Sequence, residues 1–138
     1  MLVTLYRSAA FWTVIGLGGG LFYRNFTLAI DFTGYTQLAV VHTHALTLGT
    51  LTMLILLALA RLFDLAADPR FTWAVRVWNA GLGVSVGAMW VKGMLQVTGS
   101  DSADSPAIAG ISGLGHIALT VAFALIFIAL GRVVRTAA

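Results

Sequence analysis

The sequence contains no cysteine, no glutamate and only two prolines, and its charged side chains are limited to eight Lys/Arg and five Asp. Without cysteine there is no disulfide, no thiolate metal site and no thioether attachment of a prosthetic group. The five aspartates fall between or at the ends of the apolar runs, so no run carries a carboxylate for general acid–base work or for a hard cation. A formal charge of +3 would suit a polyanion, but the basic residues are scattered and make no contiguous basic face, which argues against a nucleic-acid partner. At 59% hydrophobic and 9% charged, the composition is that of a membrane chain, not of a soluble domain. What is abundant is long apolar sequence.

Four segments, about 2–23, 36–62, 71–97 and 107–134, each approach the ~20 residues that cross a bilayer. The expected fold class is therefore all-α, a single-domain integral membrane four-helix bundle. Arg7 ahead of the first run resembles a signal peptide, but no small-residue cleavage site follows near Phe22-Tyr23-Arg24, so the run reads as a retained span. Connections are marked by Arg24–Gly34, by Asp64–Arg70 and by Gly99–Pro106, where Ser105 or Asp104 is a cap and Pro106 opens the last helix. With four spans, Arg7, Arg61, Arg70, Arg76, Arg132 and Arg135 share one side, leaving Arg24 and Lys92 towards the other. By the positive-inside rule both termini are cytoplasmic, in the cell inner (plasma) membrane.

The three histidines, His42, His44 and His116, all lie within spans, where an ionisable side chain faces a partner rather than lipid. His42 and His44 follow residue 36 by six and eight positions and His116 follows Pro106 by ten. At 1.5 Å per residue, all three sit roughly 9–15 Å in from the same end, a single layer towards the outer leaflet. Positions i and i+2 point roughly 200° apart on an α-helix, so His42 and His44 cannot bind one metal together and must serve opposite sides. A weak internal repeat, His44-Ala45-Leu46-Thr47 against His116-Ile117-Ala118-Leu119-Thr120, brings a histidine to similar depth on the second and fourth runs. Small residues accompany them. Gly16/Gly20 and Gly83/Gly87 read as close helix contacts, while Gly49 and Gly113, near the histidines, read as room for a flat macrocycle.

Bare zinc or magnesium would call for carboxylates that the spans lack. A porphyrin supplies four nitrogens and asks the protein for one or two imidazoles, so non-covalent haem b is the expected cofactor, with His42, His44 and His116 as iron ligands. Thr43, Thr47, Thr120 or nearby backbone carbonyls would orient the rings. Met89, Trp90, Met94 and Phe123 would line the pocket, and Arg24 and Lys92 would face the propionates.

The stretch Val41-His42-Thr43-His44-Ala45-Leu46-Thr47-Leu48-Gly49 resembles the histidine-bearing tenth helix of subunit I of haem-copper oxidases. The whole chain is similar to an uncharacterised family of small bacterial four-helix membrane proteins, of the size of one four-helix unit of that subunit. In the oxidases the first histidine of the pair takes a high-spin haem and the second a low-spin haem, which the resemblance carries to His42 and His44. It also implies a homo-oligomer, a trimer, with haem between or within subunits. The adjacent histidine pair that binds copper in the oxidases is missing, so copper beside the haem is left open and oxygen reduction is not implied. The expected function is b-type haem binding for electron transfer or diatomic-gas binding, with an unknown redox partner. Two haem arrangements stay open. In one, His44 and His116 clamp a haem inside each bundle and His42 reaches a second site at a subunit contact. In the other, His42 of one subunit and His44 of its neighbour share an interfacial haem. The alternatives of other classes are a small transporter or proton-relay protein and a non-catalytic membrane assembly subunit; no residue marks a catalytic base or nucleophile.

Overall fold

The computed structural model describes the backbone of residues 1–137 and side chains through Arg135. It is all-α: four long helices, α1 (Leu2–Ala29), α2 (Leu38–Leu62), α3 (Pro69–Val97) and α4 (Pro106–Ala137), joined through short 3₁₀ turns at Leu65–Ala67 and Asp101–Asp104. No strand occurs among the described residues.

The helix ends follow from local chemistry. Asp68 caps α3 by accepting from the Arg70 amide at 2.8 Å, with Pro69 in the first turn, and the Ser105 hydroxyl accepts from the Ala107 amide at the start of α4. The first helix runs on to Ala29 instead of stopping near residue 23. Arg24 and Asn25 are compatible with helix, and nothing breaks the winding until Asp31 takes a left-handed conformation at φ 53°. Phe32 N then donates to Thr27 O at 2.9 Å and Asp31 N to Leu28 O at 3.3 Å, the paired closure of a Schellman turn. Gly99, at φ 68°, ends α3 in the same way.

Helix α2 is not wound uniformly, because Ala45–Leu51 is π-helical between two α-helical halves. Its buried residues Val41, Ala45, Gly49 and Met53 recur every four positions, where an α-helix turns every 3.6. Wider winding keeps that stripe facing its neighbours. Two of the loosened carbonyls find side-chain donors: Trp78 Nε1 donates to Leu48 O at 2.8 Å and Thr52 Oγ1 to Thr47 O at 3.0 Å.

The helices form two hairpins with α3 at the centre. The first helix packs along α2, α3 packs along α4 and touches α2, and α4 makes no comparable contact with α1 or α2. A furrow is therefore left on each face of α3. Glycines set the closest approaches, though not all of those the sequence suggests. A Cβ at Gly16 would meet the Leu46 side chain, and one at Gly81 or Gly115 would meet the opposing backbone of the α3–α4 contact. Gly83 and Gly87 face open space instead of a helix, a correction to their reading as a packing face; the contact runs one side over, through Gly81, Ser85 and Gly115. Gly115→Val should thus destabilise the protein by about 1–3 kcal/mol through overpacking, read as a lower thermal midpoint, whereas Gly83→Ala should not.

All four helices are longer than a bilayer core requires, but only α2 and α4 are also apolar enough to cross one. Polar side chains dilute the other two: Thr4, Arg7, Ser8, Thr13 and Arg24 in α1, and Arg70, Arg76, Asn79, Lys92 and Gln96 in α3.

Candidate functional site

The chemistry-bearing side chains gather in the furrow between α2 and α4. At the end carrying the 30–37 and 98–105 connections it opens as a cavity of about 280 Å³, walled by Gln37, Met89, Lys92, Ala109 and Ser112. Seven residues make nearly two α-helical turns and return to the same face. His44 lies seven beyond Gln37 and His116 seven beyond Ala109, on helices that leave this end in parallel. Both histidines therefore face the furrow at similar depth, roughly 10 Å below the opening. Trp78, fully buried, ties the furrow together, with its indole nitrogen on Leu48 O of α2 and its ring edge-on to Phe123 of α4 at 4.5 Å.

Each of the two rings is held by a carbonyl one turn back. His44 Nδ1 lies 2.9 Å from Val40 O, and His116 Nδ1 lies 2.8 Å from Ser112 O. A carbonyl only accepts, so in both rings Nδ1 carries the proton of this bond, and Nε2 is the nitrogen with a lone pair to offer in the neutral ring. That is the tautomer of a metal-ligating imidazole whose second nitrogen is anchored. The anchors are main-chain carbonyls rather than the threonines: Thr43 Oγ1 shares Val40 O, and Thr120 Oγ1 donates to His116 O.

His42 faces elsewhere. Its Cβ and Cγ pack over Gly20 of α1, and its Nδ1 is buried without a hydrogen-bond partner. The two histidines of the motif thus look to different neighbours, His42 to α1 and His44 to the furrow. Among the described residues, no three His, Cys, Asp or Glu side chains come together as a metal-ion site.

The other sequence-derived site residues divide. Lys92 is at the furrow mouth, 31% exposed, with Nζ 3.7 Å from Asp104 Oδ1, a pairing too solvated to hold it strongly. Gly113 faces open space within 60° of His116 on α4, outside the lining of the cavity. Gly49 offers no such room: a Cβ there would run into the Trp12 side chain, so its reading as macrocycle space is corrected to tight α1–α2 packing. Arg24 is exposed on α1, which contributes no wall to the furrow. Met89 does line the opening, whereas Trp90 packs against Phe22 on the far side of α3. Gln37, Ser112 and Trp78 carry no signal in the sequence: Ser112 holds His116 through its main-chain carbonyl, and the roles of Gln37 and Trp78 follow from helix packing.

The fold and site together define a small all-α protein of two helical hairpins with a histidine-bearing furrow and two helices able to span a membrane. The chain belongs to the family described as a protein of unknown function, DUF2871, which matches residues 2–133. That description names no cofactor and gives no link to haem-copper oxidases. Neither the curated proteins nor the solved structures contain a match.

Proposed function

We propose that this chain is an integral membrane protein that binds b-type haem in the furrow between α2 and α4, where His44 and His116 would hold the iron, and serves electron transfer or diatomic-gas binding. The observation that carries the reading is the matched anchoring of two imidazoles, each with Nδ1 on an i−4 carbonyl and Nε2 left to bind. Gly113 leaves space beside His116 for a flat group, and Lys92 at the mouth is the cation for its acidic edge. Haem held by two imidazoles supplies a one-electron couple; with a single imidazole it keeps a position open for a gas.

Membrane insertion rests on how the apolar helices are used. The most hydrophobic window of α4 is only 22% buried and that of α2 only 28%, whereas a core helix of a soluble protein is mostly covered. Leu17, Leu114, Ile117 and Phe127 are each more than half exposed. So much outward apolar surface belongs against lipid or another subunit. The arginine-rich end, with both termini, is then cytoplasmic, and the furrow opens towards the outer leaflet. A cavity of about 280 Å³ walled by three helices is small for a cofactor, so a second copy of the chain covers the furrow, in keeping with a homo-oligomer such as a trimer.

Protein purified in detergent from haem-replete cells should show a Soret band and contain iron. No band together with a blank metal analysis would overturn the proposal. The proton-relay alternative draws on the buried, unpartnered Nδ1 of His42; a haem-free wild type that dissipates a pH gradient in liposomes would favour it.

A further inference from the structure

A second, larger cavity lies away from the histidines. It is a groove of about 780 Å³ between α1 and α3, with Gly83 and Gly87 on its floor and no histidine in its walls. These glycines sit on the face of α3 opposite Lys92 and Met89, so the groove occupies the furrow on the other side of the helix from the haem-binding face.

Its walls change character along the length. Towards the end that carries the termini they are Thr4, Ser8 and Arg76; further along they are apolar, with Gly83, Gly87 and Trp90. A Cβ at Gly83 or Gly87 would meet nothing within 4 Å, so the floor is a strip of bare backbone beside open space. Arg76 is exposed, and its guanidinium carbon lies 5.4 Å from the ring centroid of Trp73, one turn nearer the chain termini. The side chain is therefore drawn along the helix towards that end, as a cation does when it reaches for an interface. Arg7, Arg61, Arg70, Arg132 and Arg135 lie towards the same end.

We infer that this groove binds one anionic glycerophospholipid, with its phosphate at Arg76, Ser8 and Thr4 and one acyl chain laid over Gly83 and Gly87 towards Trp90. The inference rests on the membrane reading proposed above and not on haem. Charge decides the occupant. A basic pocket between helices at the cytoplasmic side recognises an anionic headgroup, and no carboxylate of the chain lines the groove to neutralise Arg76. A second copy could present acidic groups at this end only through Asp64 and Asp68, in the connection ahead of α3. A phospholipid instead carries its charge at the head of a chain that fills the apolar length.

The test uses the full chain in mild detergent, with native mass spectrometry after addition of phosphatidylglycerol, phosphatidylcholine or inorganic phosphate. The wild type should retain one phosphatidylglycerol per chain and about fivefold less phosphatidylcholine. Arg76→Gln should erase that preference, Gly87→Leu should lower retention of both lipids, and inorganic phosphate should not compete. Gly83→Leu blocks the same groove and replaces Gly87→Leu if that variant fails to fold. Equal retention of the two lipids, or retention unchanged in the variants, would overturn the inference. So would competition by inorganic phosphate, or a Gly87→Leu chain that changes oligomeric state while keeping its lipid. Recovery of the wild type in the soluble fraction would overturn the membrane reading itself, an outcome distinct from a membrane protein without lipid selectivity.

Discussion

His44→Ala and His116→Ala are each expected to lower the haem bound per chain by about tenfold or more, the scale on which metal sites respond even to loss of supporting groups, while His42→Ala stays within about twofold of wild type. The difference comes from where the rings face. His44 and His116 present Nε2 to one furrow, with Nδ1 fixed at 2.9 and 2.8 Å from a carbonyl. His42 is packed over Gly20, on the side of α1. Neither furrow histidine is part of the buried core, so both alanine variants should keep the wild-type circular dichroism. The measurement is Soret absorbance per mole of purified chain. A full band in His44→Ala or His116→Ala would remove that residue from the site, and a lost band in His42→Ala would move the haem to the α1 side.

The second large effect concerns stability. Gly49→Leu should destabilise the protein by about 3 kcal/mol, the upper part of the usual overpacking range, and lower the thermal midpoint by about 10 °C. The new side chain would run into Trp12, which is 3% exposed and donates through Nε1 to Asn79 Oδ1 at 2.8 Å. Moving Trp12 would break that link from α1 to α3 and disturb the π-helical segment on which it rests. Gly113→Leu is the contrasting case. Its side chain would enter open space, so the thermal midpoint should hold while haem content falls. A Gly49→Leu midpoint equal to wild type, or a Gly113→Leu chain with full haem, would contradict these assignments.

Much of this architecture is legible in the chain itself. Apolar runs separated by Arg24–Gly34, by Asp64–Arg70 and by Gly99–Pro106 locate the four helices, because proline and glycine positions end a helix whatever surrounds it. The true end of the first helix, set by the left-handed Asp31, lies beyond the break at Arg24. The opposed directions of His42 and His44 follow from helix geometry alone and lie in the α-helical part of α2. Other features depend on what touches what. Gly49 and Gly113 both stand near a histidine in sequence, yet one is filled by Trp12 and the other is open. Gly83 and Gly87 have the spacing of a packing face, but α4 docks one side over, where Ser85 and Gly81 meet Gly115. The i−4 carbonyl partners of the imidazoles are main-chain groups, invisible to side-chain patterns.

The wide winding of α2 also fixes an angle. Over Ala45–Leu51 the helix holds about one residue more than α-winding would use for the same turns. Winding the same seven residues as an ordinary α-helix would swing the half with both histidines by about 100° against the half that bears Met53 and Ala60. Deleting one residue there would instead restore α-winding and leave both halves facing as they do. The wide winding works as an indexing tooth. It sets which neighbour each imidazole addresses, independently of the packing that anchors the other end of the helix.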